Sequence, residues 1–124
     1  MADILVIDDM NGVRRAISSM LQRGGHTVTT ANTGKEGLDV LKQRPFDLVI
    51  TDILMPEVDG IEVLAFISAM TKRVPVIAMS GGGAGVSADA ALRGADFMAD
   101  AFIEKPFEKS DLLSIVDKLL SKAA

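Results

Sequence analysis

Residues 48–52 read LVITD, a run of large apolar residues that ends in a hydroxyl and a carboxylate. Short apolar runs also occur at residues 4–7, 74–79 and 102–103, and a β-branched, weakly apolar stretch (HTVTTA) covers residues 26–31. Runs of this length, bounded by turn residues, are typical of strands that are buried on both faces of a sheet. The sequence therefore predicts five strands, and the stretch at residues 26–31 has the composition of an edge strand.

Helical patterns separate the predicted strands. Apolar residues recur three or four positions apart, as on the buried face of a helix, within residues 13–21, 38–41, 61–70, 88–95 and 112–120. Thr33 and Glu36 match a capping box at the start of the second helix, and Pro45 ends it. Strands that alternate with helices build a parallel sheet covered on both faces. We therefore predict an α/β fold, a three-layer sandwich of five βα units, as one domain over residues 1–124.

Composition narrows the classes of function. The 124 residues carry a net charge of -4, with 13 Lys and Arg against 17 Asp and Glu, and include no cysteine, tryptophan or tyrosine. Without cysteine there is no disulfide and no thiol chemistry. The acidic, aromatic-poor composition favours neither nucleic acid nor a membrane as a partner. No apolar run is long enough for a membrane span and no signal peptide is recognised, so we expect a soluble, cytoplasmic protein.

Polar side chains follow the predicted strands at their carboxyl ends. Right-handed crossovers make the strands parallel, so these ends share one edge of the sheet, where ligands bind in such folds. The side chains expected there are Asp8, Asp9, Asp52, Ser80 and Lys105. Two carboxylates about 5 Å apart repel by roughly 3 kcal/mol at an effective dielectric constant of 20, so the cluster needs cations. Lys105 supplies one positive charge, and Mg²⁺ suits the remaining carboxylates and an incoming phosphate.

These residues occur in an order that resembles the bacterial response regulator receiver domain. The matching residues are Asp8-Asp9, Asp52 followed by Met55-Pro56 and Asp59-Gly60, then Ser80, and finally Lys105-Pro106-Phe107. Each motif is common alone, but the ordered set is specific, and it covers essentially the whole chain. The resemblance implies a flavodoxin-like fold with the parallel strand order 2-1-3-4-5.

The resemblance implies a role for each residue of the acidic cluster. Asp52 would accept a phosphoryl group from a histidine kinase or a histidine phosphotransfer protein, forming an aspartyl phosphate. Asp9 and Asp52 would bind Mg²⁺, or Mn²⁺ in its place, together with the backbone carbonyl of Leu54, and Asp8 would act through a metal-bound water. Lys105 would pair first with Asp52 and then with the phosphoryl oxygens.

The same resemblance implies a switch that changes a protein-binding surface. The Ser80 hydroxyl would bond to a phosphoryl oxygen, Phe102 would turn inward as Ser80 moves, and Pro106 would follow a cis peptide bond. The signal would reach a downstream protein through the face of the fourth predicted helix, the fifth strand and the fifth helix. We expect a monomer, and dimerisation on phosphorylation is left open.

Leu54 follows Asp52 by two positions, and Gly82 follows Ser80 by two positions. Neither side chain can orient a water molecule. By resemblance, self-dephosphorylation should be slow. The glycine run at residues 81–85 matches neither dinucleotide nor P-loop patterns, so it predicts no nucleotide site and its role is open.

With no effector domain predicted, we expect a stand-alone response regulator. One alternative is a degenerate receiver that acts as a phosphorylation-independent interaction module, although the complete acidic set argues against it. A phosphorelay intermediate is a second alternative, which the sequence does not distinguish.

Overall fold

The computed structural model describes residues 2–53, 60–70, 73–81, 99–105 and 107–123. The strands are β1 (Asp3–Ile7), β2 (Thr27–Ala31), β3 (Leu48–Asp52), β4 (Val76–Gly81) and β5 (Ala101–Lys105). They form one parallel sheet in the order β2-β1-β3-β4-β5, which confirms the predicted strand order. The helices of the described part are α1 (Asn11–Arg23), α2 (Gly34–Gln43), α3 (Gly60–Ser68) and α4 (Lys109–Ala123).

Four of the five predicted helices are therefore observed in the described part of the chain, and α4 is the fifth of them. The predicted helix at residues 88–95 lies outside the described residues, as does most of the glycine run. Among the described helices, none combines the length and the hydropathy that a membrane span requires.

The sheet separates two clusters of buried side chains, because successive side chains of a strand point to opposite faces. In β1, Leu5 and Ile7 face one cluster and Ile4 and Val6 face the other. The first cluster is completed by side chains of α2 and α3, which include Leu41, Val63, Leu64 and Ile67. The second is completed by side chains of α1 and α4, which include Ile17, Leu21, Leu112 and Val116. Helices on both faces confirm the three-layer sandwich.

The edge position of β2 explains its composition. This strand pairs only with β1 in the sheet order, and Thr27 and Thr30 are exposed whereas Ala31 is buried. All five residues of β3, which lies at the centre of the sheet, are buried. A half-exposed strand tolerates threonine, while a strand covered on both faces is mostly apolar. In β3 the polar residues Thr51 and Asp52 lie at the carboxyl end, where the site is.

Several strand boundaries differ from those the sequence predicts. β4 begins at Val76 and not at Val74, and the carbonyl of Pro75 accepts a hydrogen bond from Val49 N at 3.0 Å. Proline has no N–H to donate to a neighbouring strand, so it contributes only its carbonyl before the strand begins. At the other end, β3 continues to Asp52 and β5 to Lys105, so these two side chains are the last of their strands and do not follow them.

The start of α2 has the cap that the sequence predicts. Thr33 has an extended backbone, and its Oγ1 accepts a hydrogen bond from Glu36 N at 3.0 Å. The Glu36 carboxylate accepts a hydrogen bond from Asn32 N at 3.3 Å, one residue earlier than a capping box would place it. Further along α2, Gly37 packs closely against Ile7 of β1. A Cβ atom at Gly37 would lie 2.4 Å from Ile7 Cδ1.

Candidate functional site

The carboxyl ends of three strands bring Asp8, Asp52 and Lys105 together. Asp8 directly follows β1, and Asp52 ends β3, the neighbouring strand. Lys105 ends β5, two strands away from β3, and its side chain crosses the end of β4. In the sheet register Asp52 is opposite Met79 and Lys105 is opposite Gly81, so Lys105 stands two residues nearer the edge. Its long side chain therefore reaches carboxylates that belong to strands distant in sequence.

Lys105 links the two buried carboxylates. Its Nζ lies 2.7 Å from Asp8 Oδ2 and 2.9 Å from Asp52 Oδ2. The side chains are 14% exposed for Lys105, 0% for Asp8 and 8% for Asp52, so water weakens these ion pairs little. Burial by itself lowers the pKa of Lys105, but the hydrogen bonds and charges of Asp8 and Asp52 together raise that pKa above its ordinary value. The ammonium is therefore charged throughout the physiological pH range.

Asp8 is held at both of its carboxylate oxygens. Oδ1 accepts a hydrogen bond from Met10 N at 2.9 Å, and Oδ2 accepts the bond from Lys105. Its backbone N–H also donates to the carbonyl of Ala31 in β2, at 3.2 Å. A buried carboxylate with these partners has a fixed orientation, which suits a structural member of an ion-binding site.

The cluster fits a divalent cation. Asp8, Asp9 and Asp52 each offer a carboxylate oxygen, and these three oxygens lie within 4.8 Å of one another. Asp9 is exposed, while Asp8 and Asp52 are buried. Lys105 compensates one of the three negative charges, so a net negative charge remains within a partly buried site. Carboxylate oxygens are the ligands that Mg²⁺ and Mn²⁺ prefer, and this residual charge favours binding such an ion.

Other predicted site residues are placed less completely. Ser80 belongs to β4 and is paired with Glu104 of β5, so its backbone lies near the carboxyl edge as expected. Phe102 is half-buried and packs against the cluster on the α2 and α3 face. Leu54, Gly82 and Pro106, with the metal-carbonyl, hydrolysis and cis-peptide predictions that concern them, lie outside the described residues.

The structure adds one residue that the sequence analysis did not select. Arg14 Nη1 donates to the backbone carbonyl of Asp8 at 2.7 Å, and its Nη2 donates to the Asn11 side-chain carbonyl. Arg14 is one helical turn beyond Met10, so it lies on the side of α1 that faces the end of β1. This spacing was the only feature of the sequence that could have pointed to a contact of Arg14 with the end of β1. An arginine in the first turns of a helix is, however, ordinarily a solvated surface residue.

Taken together, the fold and the site define a class: a five-stranded doubly wound domain with a lysine-bridged acidic pocket at the carboxyl edge of its sheet. The profile of the response regulator receiver domain family matches residues 4–117. The chain belongs to this family.

Curated relatives and solved structures agree with that assignment. The transcriptional regulatory protein GlrR of Escherichia coli is 35% identical over 123 residues, which are 99% of this chain and 27% of GlrR. The cell cycle response regulator CtrA of Brucella ovis is 29% identical over 97% of this chain and 50% of CtrA. A response regulator receiver domain protein from Clostridium thermocellum superposes with a TM-score of 0.88 at 30% identity, covering 99% of this chain and 97% of that one. This chain thus spans between a quarter and half of the curated relatives named here.

Membership of the family carries a general function. Receiver domains of two-component response regulators are switched by phosphorylation, and they interact with histidine kinases and with downstream targets. The family binds Mg²⁺ at an acidic pocket, and the chain has such a cluster of acidic residues.

Proposed function

We propose that this chain is one receiver domain over residues 1–124 and that it accepts a phosphoryl group on Asp52. The observation that carries the proposal is the contact of Lys105 Nζ with both Asp8 and Asp52, at 2.7 and 2.9 Å. A lysine at this place holds Asp52 in one orientation while its positive charge faces the position of an incoming phosphoryl group. A carboxylate is a weak nucleophile, so its placement and the charge around it decide the rate.

The reaction transfers one phosphoryl group between two side chains. An oxygen of Asp52 attacks the phosphorus of a phosphohistidine, the P–N bond breaks, and the imidazole of the donor leaves with the electron pair. Lys105 then offers hydrogen bonds to the transferred oxygens, since its three N–H donors exceed the two carboxylates that it contacts here. The product is an aspartyl phosphate at the carboxyl end of β3, beside Asp8 and Lys105.

Asp8, Asp9 and Asp52 are the residues that we propose as the Mg²⁺ site, with Mn²⁺ as an alternative ion. Their three oxygens within 4.8 Å of one another support this assignment. When bound, such an ion would offset the negative charge of the phosphoryl oxygens, which the carboxylates would otherwise repel. The hydrogen bonds that Asp8 accepts from Met10 N and Lys105 Nζ fix the orientation of this carboxylate in the pocket.

The donor in this proposal is a histidine kinase or a phosphotransfer protein, and the acceptor of the signal is another protein. Ser80 is the proposed hydroxyl switch, and Phe102 is the proposed aromatic switch. The face that would bind the downstream protein includes β5 and α4 among the described residues. Phe102 on β5 is half-buried, so its ring can become more or less exposed. A cytoplasmic location stays a prediction.

The proposal is tested by the intact mass of the protein after incubation with phosphoramidate, with and without Mg²⁺. Wild type should gain one phosphoryl group only when Mg²⁺ is present, and Asp52→Asn should gain none. Asp39→Asn is the matched control, since Asp39 is an exposed carboxylate on α2 outside the acidic cluster. Circular dichroism of each variant checks that the fold is intact.

Two outcomes would contradict the proposal. Phosphorylation of a folded Asp52→Asn variant would place the acceptor elsewhere. A wild-type protein that binds Mg²⁺ but takes up no phosphoryl group from phosphoramidate or acetyl phosphate would favour a phosphorylation-independent interaction module.

A further inference from the structure

The segment from Asp8 to Asn11 connects β1 to α1, and it carries the exposed Asp9 into the acidic pocket. Met10 is the N-cap residue of α1, and it forms no side-chain hydrogen bond to the start of the helix. No acidic residue lies in the first turn either. The start of α1 therefore lacks two common stabilising features of a helix start, a side-chain cap and an acidic first turn.

Asp9 depends on that backbone for its position. Asp8 is held by Lys105 and Met10 N, and Asp52 is held by Lys105. Asp9, in contrast, makes no side-chain hydrogen bond within the described part of the chain, and it is exposed. The direction of the Asp8–Asp9 peptide group therefore decides where the third carboxylate lies.

Arg14 holds this peptide group. Its Nη1 donates to the carbonyl oxygen of Asp8 at 2.7 Å, and Nη2 donates to Asn11 Oδ1. Its own backbone N–H donates to the carbonyl of Met10 at 3.0 Å, the first hydrogen bond of α1. One residue thus contacts Asp8, Met10 and Asn11, through backbone and side chain together. The planar, forked guanidinium suits two acceptors at once, whereas an ammonium does not present paired donors in a plane.

We propose that Arg14 is a positioning residue of the phosphoryl-acceptor site, which sets the Asp8–Asp9 peptide group and so places the Asp9 carboxylate for Mg²⁺. The inference rests on the proposed function for the acidic cluster. Groups that orient metal ligands from outside the ligand set commonly change metal affinity without touching the ion. Arg14 fits that description, because its contacts are with the backbone that carries Asp9 and with Asn11.

Arg15 provides a matched control. It follows Arg14 on α1, has the same charge, and lines the same open groove between α1 and β2. Arg15 is exposed, and Arg14, not Arg15, donates the hydrogen bonds to the Asp8 backbone carbonyl and to Asn11 Oδ1. Comparing Arg14→Ala with Arg15→Ala therefore separates the effect of the Arg14 hydrogen bonds from the effect of losing one positive charge near the pocket.

The test is calorimetric titration with MgCl₂, combined with hydrogen exchange of the Met10 amide measured by NMR. We expect Arg14→Ala to bind Mg²⁺ about tenfold more weakly and Arg14→Lys about threefold more weakly than wild type. The Met10 amide should exchange faster in Arg14→Ala. Its hydrogen bond to Asp8 Oδ1 lies in the segment that loses the hydrogen bond from Arg14 to the Asp8 carbonyl. Arg15→Ala should stay within about twofold of wild type in Mg²⁺ affinity.

Equal Mg²⁺ affinity for Arg14→Ala and Arg15→Ala would overturn the inference. Wild-type affinity in Arg14→Lys would also contradict it, because charge alone would then suffice. If Arg14→Ala does not fold, the comparison of Arg14→Lys with wild type decides. These readouts need no phosphorylation, so a wild type that binds Mg²⁺ but is not phosphorylated refutes the proposed function and leaves the Arg14 comparison valid. If wild type binds no Mg²⁺, the proposed metal site and this inference both fail, while phosphoramidate labelling still tests Asp52 separately.

Discussion

Replacing Asp9 by asparagine should stabilise the protein without Mg²⁺ and remove the stabilisation that Mg²⁺ provides. Lys105 contacts Asp8 and Asp52 but forms no ion pair with Asp9, so Asp9 is the carboxylate whose repulsion is least compensated. Its oxygen lies within 4.8 Å of an oxygen of each neighbour. The substitution keeps the shape of the side chain and removes only its charge.

The size of the expected stabilisation follows from the separation of the carboxylate oxygens, which is at most 4.8 Å. Two unit charges 4.8 Å apart repel by about 0.9 kcal/mol in water and by about 3.5 kcal/mol at an effective dielectric constant of 20. Asp9 is exposed, which favours the lower figure for each of its two neighbours, and the charge of Lys105 offsets part of the sum. We expect Asp9→Asn to raise the free energy of unfolding by about 1 kcal/mol, or the melting temperature by about 4 °C.

The assay is urea unfolding followed by circular dichroism, at several Mg²⁺ concentrations. In wild type, Mg²⁺ at about 100 times its dissociation constant should add about 2.7 kcal/mol to the free energy of unfolding. Asp9→Asn should lose most of this increment, while Asp39→Asn, the exposed control on α2, should keep it. A less stable Asp9→Asn variant in the absence of Mg²⁺, or one that retains the full Mg²⁺ increment, would refute the reasoning about uncompensated charge.

Three further predictions concern stability. Gly37→Ala should destabilise the fold by about 2 kcal/mol, because its Cβ would lie 2.4 Å from Cδ1 of the buried Ile7; Gly12→Ala, with nothing within 4 Å of its Cβ, is the control, and equal melting temperatures would contradict the packing argument. Thr33→Ala should cost about 1 kcal/mol in urea unfolding through the lost cap of α2, and an unchanged midpoint would exclude that role. Because folding raises the pKa of Lys105, its ion pairs stabilise fully below the pKa of the unfolded chain and lose their effect as pH rises through the raised value. Wild-type stability should therefore fall more steeply than that of Lys105→Met above about pH 10, and parallel urea-unfolding profiles would contradict this.

Local patterns predicted most of the elements correctly. The buried run at residues 48–50, the alternation of strands with helices and the cap at Thr33 each depend on neighbours along the chain, which the sequence displays directly. The errors lie at strand ends, as at Val74 and Lys105, because pairing with a neighbouring strand decides where a strand begins and ends. The strand order came from the resemblance, since periodicity alone does not specify which strands are neighbours.

The membership of the acidic cluster and the pairing of Lys105 with Asp52 were predictable, but the other contacts of the cluster were not. Parallel strands place their carboxyl ends at one edge, so Asp8, Asp9, Asp52 and Lys105 were expected to converge there. That Lys105 bonds to Asp8 as well as to Asp52 follows from its position two residues nearer the edge than Asp52, across β4. The contact of Arg14 with the carbonyl of Asp8 was not predicted, because a side-chain bond to backbone depends on the path of the chain between β1 and α1.

The sequence by itself predicted which residues meet in the acidic cluster and which faces are buried, because side-chain type and period are local properties of the chain. Only the tertiary structure decided how the site is held, because its ion pairs join residues 97 and 53 positions apart in the chain. Contacts over such separations form when the sheet brings strand ends together, and burial then makes each charge depend on its partners. The contact of Lys105 with Asp8 and that of Arg14 with the Asp8 carbonyl are therefore properties of the fold and not of any motif.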